Sequence, residues 1–280
     1  MKTKAKLITP AELAGGDASA PIWGDYTRHY LAEGDSWFTL AALPGGNLLQ
    51  ELQLEQPTLI VTTAYPGDTL THMVEWRQNT AFVNLLSRPL FAWRWDAVLL
   101  SAGGNDLIDA ALAAPGILAA PATASTNAED YIDTEGYAKF ETYLRRNFEA
   151  LVTLRDDAAS PNRGIPIILH TYDFPTPRPA PARLAGTVGA LGPWLYTAFT
   201  EHNVPPTVWQ ALADALLKRL AGILTTLHLS NIHVVDTQNT LDRAAAGSTG
   251  DSGDWLNEIH PNLNGRRKLA DKWATVIDAL

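Results

Sequence analysis

The chain has 280 residues, of which 46% are apolar and 18% are charged, and its formal charge is −9. A chain of this composition can bury a sizeable core and is typical of globular proteins. The negative charge argues against nucleic-acid binding, which depends on Lys and Arg side chains neutralising phosphates. Because the sequence contains no cysteine, disulfides, a thiol nucleophile and a cysteine-ligated zinc site are excluded.

The first residues, MKTKAKLITPAELAGG, are partly basic but contain no apolar run of the length that a secretory signal requires. No stretch approaches the roughly 20 apolar residues that span a bilayer. We therefore expect a soluble protein that is cytoplasmic by default, with export by a route other than the general secretory one left open.

Short runs of β-branched and aliphatic residues predict strands that alternate with helical stretches. In chain order they are HYLAEGD (29–35), which is the weakest, TLIVTTAY (58–65), DAVLLSAGG (96–104), IPIILHTYD (165–173) and IHVVD (232–236). This alternation favours parallel strands joined by crossover helices. We predict an α/β fold with a five-stranded, doubly wound parallel sheet, forming one domain over residues 1–280.

Three of the intervening segments have the 3.6-residue apolar period of amphipathic helices. Their apolar faces are Phe140, Leu144, Phe148, Leu151 and Val152; Val208, Leu212, Leu216, Leu220, Ile223 and Leu227; and Leu269, Trp273, Val276, Ile277 and Leu280. The segment 173–206 differs, because it is rich in proline, glycine and aromatic residues and is too long for a routine connection. We expect it to form a packed excursion over one end of the sheet.

Residues with catalytic chemistry follow the first three predicted strands and recur near the C-terminus. Ser36 lies in Gly-Asp-Ser, Gly67 in Pro-Gly-Asp, Asn105 in GGND and His260 in DWLNEIHPN. Ligands of open α/β sheets bind beyond the carboxyl ends of the strands, so these residues are expected at one edge. Each alone is an ordinary turn or cap residue, but together a hydroxyl, an imidazole and amide donors favour acyl transfer.

The order of these motifs resembles that of the SGNH, or GDSL, hydrolases over nearly the whole chain. The resemblance implies a flavodoxin-like, three-layer α/β/α sandwich and the hydrolysis of an ester. It also implies that Ser36 is the nucleophile and His260 the base. The N–H groups of Ser36 and Gly67 and the side chain of Asn105 would form the oxyanion hole, and no cofactor would be needed.

The residue that should orient His260 departs from the family pattern. The family usually has aspartate three residues before the histidine, and here that position is Asn257. Asparagine can accept a hydrogen bond from the imidazole, but it has no charge to stabilise the imidazolium. We favour Asp254 as the acid over Asn257 acting alone, with Glu258 and Asp236 as further candidates.

Aromatic residues adjoin the predicted catalytic residues. Trp37 follows Ser36, and Trp255 lies shortly before His260, so both are candidates either for a substrate wall or for core packing. His170 is a candidate substrate contact, with a buried structural role as the alternative. The spacing of the other histidines does not match a metal site, and no phosphate-binding glycine motif occurs, so we predict no metal and no cofactor.

These observations predict a serine esterase that acts through an acyl-enzyme. A short acyl or carbohydrate O-acetyl ester is the favoured substrate, and a lipid ester or a thioester is the alternative, because fold and catalytic residues do not choose among them. The rival function is a non-catalytic binding module that keeps the fold, since Asn257 replaces the usual acid. The sequence indicates no oligomeric state.

Overall fold

The computed structural model describes residues 2–15, 21–39, 46–183 and 190–280. Its central sheet has six parallel strands, which are β1 (Lys6–Ile8), β2 (Arg28–Gly34), β3 (Thr58–Thr62), β4 (Ala97–Ser101), β5 (Ile167–His170) and β6 (Ile232–Val235). Two short antiparallel pairs lie outside this sheet, namely Thr3–Lys4 with Gln53–Leu54 and Ala182–Arg183 with Ala190–Leu191.

Helices occupy the connections between the strands. The α-helices of the described residues are α1 (Pro10–Ala14), α2 (Leu70–Val74), α3 (Thr80–Ser87), α4 (Gly104–Leu112), α5 (Thr134–Arg155), α6 (Leu195–Glu201), α7 (Trp209–Thr225) and α8 (Leu263–Ile277). Short 3-10 helices cover Trp23–Asp25, Leu49–Glu51, Ala128–Tyr131 and Pro206–Val208. In the described part of the chain, no helix is both long and apolar enough to cross a membrane.

The order of strands across the sheet is β6-β5-β4-β2-β3-β1. The chain places β3 on one side of β2 and β4 on the other, so the winding reverses at β2. This is a flavodoxin-like order with β1 added at one edge, and ligands of such sheets bind beside the point of reversal. The register pairs Gly34 with Ser101, so β2 and β4 end at the same level. Residues that follow these two strands therefore flank one crevice.

The predicted parallel α/β sheet is confirmed, but the predicted number of five strands is wrong. The sixth strand, β1, is only the tripeptide Lys-Leu-Ile, which is too short to carry a recognisable strand pattern. Every residue of β3 and β4 is buried, because helices flank the sheet. This burial accounts for the apolar runs of the two strands.

The three predicted amphipathic helices correspond to α5, α7 and α8, and their predicted apolar faces supply buried core residues. The excursion is described over 173–183 and 190–206, while residues 184–189 lie outside the described residues. It contains α6, which packs against α4. Because α4 follows the central strand β4, this contact brings the excursion to the carboxyl end of the sheet.

Candidate active site

Ser36 lies in a tight turn directly after β2. Within this turn the N–H of Phe38 donates to the Asp35 carbonyl over 3.1 Å, and the N–H of Trp37 donates to Asp35 Oδ1 over 3.0 Å. The chain reaches the turn by passing close to β4, since a Cβ at Gly34 would lie 2.7 Å from the carbonyl oxygen of Ser101. The turn therefore needs glycine before Asp35 and leaves Ser36 partly exposed.

Ser36, His260 and Asn257 form a continuous chain of hydrogen bonds. Ser36 Oγ lies 2.6 Å from Nε2 of His260, and Nδ1 of the same ring lies 2.8 Å from Asn257 Oδ1. His260 and Asn257 are each only 3% exposed. This burial lowers the pKa of His260 to about 3, because desolvation disfavours the charged imidazolium. The ring is therefore a neutral imidazole at ordinary pH.

The amide of Asn257 is held with its oxygen towards the histidine. Oδ1 also accepts the backbone N–H groups of Ile259, over 3.2 Å, and of His260, over 3.0 Å. Only the oxygen of an asparagine side chain can accept these bonds, which assigns the amide orientation. His260 Nδ1 must then carry the proton, so its Nε2 presents a lone pair to Ser36.

The expectation that Asp254 orients His260 is not met by this geometry. Asp254 Oδ2 accepts from Lys268 Nζ over 2.6 Å and from the Asp242 N–H over 2.7 Å, while its Oδ1 accepts from Asn264 Nδ2 over 2.5 Å. Both carboxylate oxygens of Asp254 are thus engaged with the start of α8 and a neighbouring loop. Asn257 occupies the position beside the imidazole because the turn from 257 to 260 brings its side chain back onto the ring.

The other two candidate acids also lie elsewhere. Asp236 Oδ1 accepts from the Gln238 N–H over 3.1 Å and from Thr171 Oγ1 over 3.3 Å. The carboxylate of Glu258 is directed to backbone groups of the excursion. In neither case does the structure give a hydrogen bond to His260.

The three expected oxyanion donors lie in the turns after β2, β3 and β4. Asn105, in the first turn of α4, donates from Nδ2 to the Asp68 carbonyl over 2.9 Å and so joins α4 to the turn that contains Gly67. Gly67 has φ +80°, and a Cβ there would meet no atom within 4 Å, so backbone conformation rather than crowding favours glycine. Ser36 and Asn105 line one cavity, whereas Gly67 is not among its lining residues.

A buried network of hydrogen bonds holds Asp35, the residue before Ser36, in place. Asp35 accepts from Ser101 Oγ over 2.8 Å and from the hydroxyl of Tyr172. Ser101 Oγ in turn lies 2.9 Å from His170 Nε2. Burial raises the pKa of Asp35 to about 6 and lowers that of His170 to about 3. His170 is fully buried and is not among the residues lining the cavity. Of its two expected roles, this position fits the buried structural one and not the substrate contact.

The cavity beside Ser36 has a volume of about 40 Å³. Trp37 and Trp255, the candidates for either a substrate wall or core packing, are both among its lining residues and are both buried. Trp37 is also anchored, since its Nε1 donates to the Ile259 carbonyl over 3.1 Å. Among the described residues, no three His, Asp or Glu side chains are grouped as metal ligands would be.

Glu258 connects the loop that carries His260 to the excursion, a role that the sequence did not reveal. Its Oε1 accepts the N–H of Tyr196 over 2.7 Å and that of Arg178 over 3.3 Å, and its Oε2 accepts the N–H of Trp194. These bonds satisfy donors at the start of α6. The Trp194 ring consequently lies edge-on to His260, with 5.2 Å between the ring centroids. Burial raises the pKa of Glu258 to about 7.

Arg178 forms a second connection between the same two segments. Its guanidinium is fully buried and donates to the carbonyls of Asn257, over 2.6 Å, and Gly250, over 2.5 Å, and to Ser248 Oγ over 3.0 Å. The only sequence signal for this role is one arginine within the apolar, proline-rich stretch TPRPAP. A buried guanidinium needs such carbonyl partners, because burying its donors without hydrogen bonds is costly, and here the two terminal nitrogens are bound while Nε has no partner.

No protein-family model matches this chain, and no curated protein matches it. Among solved structures, a carbohydrate acetylesterase from Sinorhizobium meliloti is 12% identical, with 90% of this chain and 99% of that chain covered and a TM-score of 0.43. An acetyl xylan esterase is 13% identical, with 89% of this chain and 99% of that chain covered and a TM-score of 0.43. A catalytic mutant of an acetylxylan esterase from Geobacillus stearothermophilus is 17% identical, with 90% of this chain and 94% of that chain covered and a TM-score of 0.41. These sequence identities and TM-scores are too low to assign a reaction to this chain. A reaction can therefore be proposed only from the geometry of the site.

Proposed function

We propose that this protein is a serine hydrolase of carboxylic esters with Ser36 as its nucleophile. The observation that carries the proposal is the 2.6 Å contact between Ser36 Oγ and Nε2 of His260, together with a tautomer that leaves Nε2 free to accept a proton. A serine hydroxyl becomes an effective nucleophile when a positioned base accepts its proton. These two groups meet at the carboxyl edge of the sheet, beside the reversal of winding.

The proposed reaction has two halves. Ser36 Oγ attacks the ester carbonyl while His260 takes the hydroxyl proton, and the resulting oxyanion accepts hydrogen bonds from the Ser36 N–H, the Gly67 N–H and the Asn105 amide. The C–O bond to the alcohol then breaks, and the alcohol leaves with the proton from His260. In the second half, His260 deprotonates a water molecule that attacks the acyl-enzyme, and the acid is released as Ser36 regains its proton.

Asn257 acts in this mechanism as the orienting residue. It holds the proton on Nδ1 and directs Nε2 at Ser36, which is the positional part of what an aspartate does in a Ser-His-Asp triad. It cannot supply the negative charge that would stabilise the imidazolium formed during the reaction. We therefore expect a working but slower enzyme than an aspartate would produce at the same position.

A fluorophosphonate probe tests the nucleophile directly, because it labels serines activated by a base. We expect labelling of the wild-type protein at Ser36, hydrolysis of p-nitrophenyl acetate, and loss of both in Ser36→Ala. Ser87→Ala is the matched control, since Ser87 is a buried serine whose Oγ donates to the Val83 carbonyl within α3 and not to a group of the site. Ester hydrolysis that persists in Ser36→Ala would overturn the proposal.

The second candidate function is a binding module that has lost catalysis. The observation in its favour is the amide at position 257, where a carboxylate would complete the charge of the triad. A wild-type protein that binds esters but neither reacts with the fluorophosphonate nor hydrolyses any member of an acetyl, long-chain and thioester panel would support this alternative.

A further inference from the structure

The cavity beside Ser36 is walled mainly by apolar side chains from three helices. Its polar lining residues are Asp35, Ser36, Asn105, Tyr172 and Asp173, and apolar groups come from α4, α6, α7 and the His260 loop. The apolar residues that form its helical and loop walls are Leu107, Ile108, Leu195, Leu217, Trp255 and Ile259. A few polar groups at one side of an apolar concavity are the usual composition of a small-molecule site.

We propose that this cavity binds the acyl chain of the ester and restricts it to a short one, with Leu195 and Leu217 as specificity-determining residues. The proposal rests on the esterase function proposed above. The volume of about 40 Å³ is small, since a cavity needs roughly 10–15 Å³ to hold even one water-sized group. That capacity corresponds to acyl groups of about two to four carbon atoms.

The chemistry assigns this cavity to the acyl group and not to the alcohol. The acyl group stays attached to Ser36 Oγ until water attacks, so it needs an enclosed place beside the nucleophile. The alcohol must depart after the first half of the reaction, which requires an open path to solvent. The apolar side chains that α4, α6 and α7 present beside Ser36 suit an aliphatic group that stays bound to Ser36 in both halves of the reaction.

The part of the cavity wall formed by Leu195 is hydrogen-bonded to the loop that carries His260. Leu195 is the first residue of α6, and the N–H groups on either side of it, those of Trp194 and Tyr196, are bound by the carboxylate of Glu258. Leu195 is fully buried, and Leu217 on α7 is only 5% exposed. Two helices therefore each contribute a buried leucine to the cavity wall, and Glu258 is a positioning residue for one of them.

A series of p-nitrophenyl esters with acetyl, butyryl, hexanoyl and octanoyl groups tests this assignment. We expect the wild-type kcat/KM to fall about 10-fold or more from butyryl to hexanoyl. Leu217→Ala and Leu195→Ala should each raise the hexanoyl-to-acetyl ratio about 10-fold or more, because each methylene that finds room in an apolar pocket contributes about 10-fold or more. Leu217→Phe, which fills space, should selectively lower the butyryl-to-acetyl ratio.

Leu212→Ala is the matched control for these variants. Leu212 is a fully buried leucine of the same helix α7, but it does not line the cavity, so its loss should leave the ester ratios unchanged. Should the alanine variants fail to fold, Leu217→Val and Leu217→Phe still change the cavity in opposite directions. Unchanged ratios in these two variants would overturn the proposal.

The results separate this proposal from the esterase proposal itself. A wild-type protein that is labelled at Ser36 and hydrolyses acetyl and octanoyl esters equally well overturns the short-acyl cavity and leaves the esterase function standing. A wild-type protein that neither reacts with the probe nor hydrolyses any ester overturns both.

Discussion

The Oδ1 atom of Asn257 lies 2.8 Å from Nδ1 of His260, in the place where a serine-histidine hydrolase usually has a carboxylate. Backbone N–H groups of Ile259 and His260 hold this oxygen, so the amide cannot present its NH2 group to the ring without losing both bonds. The arrangement therefore keeps the proton on Nδ1, as the proposed mechanism requires, and omits the negative charge. Asparagine at this position separates orientation of the base from its electrostatic stabilisation.

Asn257→Asp should increase activity. We expect kcat/KM for an acetyl ester at pH 8 to rise about 10- to 100-fold, because a hydrogen bond to a charged group contributes about 1.5–3 kcal/mol and 1.36 kcal/mol is a factor of ten. The N–H donors around Oδ1 would favour the ionised form of the new carboxyl. Steady-state kinetics of wild type, Asn257→Asp and Asn257→Ala measure this. Equal activity in all three would show that position 257 does not orient the base.

The proposed esterase activity should lack the acidic limb that a histidine base of ordinary pKa produces. His260 acts as a base only when neutral, and burial lowers its pKa to about 3 from an ordinary 6.5. Because the ring stays neutral until the pH approaches that pKa, we expect protonation of His260 to produce no acidic limb in kcat/KM between pH 8 and pH 5, whereas Asp35 and Glu258, with pKa values of about 6 and 7, titrate within that range. In Asn257→Asp the carboxylate should raise the pKa of His260 and move the acidic limb to higher pH. Titration of the His260 ring followed by NMR separates this group from Asp35 and Glu258, and a ring pKa near 6.5 would contradict the prediction.

Asp254→Asn should affect stability and not chemistry. Its carboxylate binds Lys268, the N–H of Asp242 and the side chain of Asn264, and it makes no hydrogen bond to His260. We expect the free energy of unfolding to fall by about 1–3 kcal/mol, since a buried charged hydrogen bond is lost. In the folded variant kcat/KM should stay within about threefold of wild type. A loss of activity with unchanged thermal stability would instead identify Asp254 as the catalytic acid.

Arg178→Lys should impair positioning of the catalytic loop. An ammonium cannot reproduce the planar fork that donates to the carbonyls of Asn257 and Gly250 and to Ser248, so the loop should lose its restraint. We expect kcat to fall about 10-fold or more in protein that remains folded, because small displacements of reacting groups are costly. Arg145→Lys is the control, since Arg145 makes comparable bonds to Thr226 on the surface of α5. Equal kcat values for the two variants would count against a positioning role.

Glu258→Gln should change how stability depends on pH. Burial raises the pKa of Glu258 to about 7 from 4.5, so between these values the folded protein holds a proton that the unfolded chain has released. The contribution of Glu258 to stability is therefore complete below about pH 4.5 and declines as the pH rises to 7. Relative to Glu258→Gln, the free energy of unfolding of the wild type should fall by up to about 3 kcal/mol across that range. Denaturant unfolding at pH 4.5 and pH 7.5 measures the difference, and a constant difference would contradict it.

The residues at the ends of the strands could be predicted because parallel strands bring their carboxyl ends to one edge. Ser36 and Asn105 follow β2 and β4, and the register of these strands places both residues beside one crevice. The orienting residue could not be predicted in this way. Asp254 and Asn257 precede His260 within one irregular loop, where no period relates sequence separation to direction, and only the turn formed by residues 257–260 brings the Asn257 oxygen to the ring.

The sequence by itself determined the parallel α/β architecture and the chemical groups available at its edge, because apolar periodicity and residue type are local properties of the chain. Only the tertiary structure decided that β1 joins the sheet, that Glu258 binds the start of α6, and that Arg178 links the excursion to the loop that carries His260. The Glu258 bonds join residues 62 and 64 positions apart, and the bond from Arg178 to Asn257 joins residues 79 apart. Such contacts depend on how distant segments pack together, which no local pattern encodes.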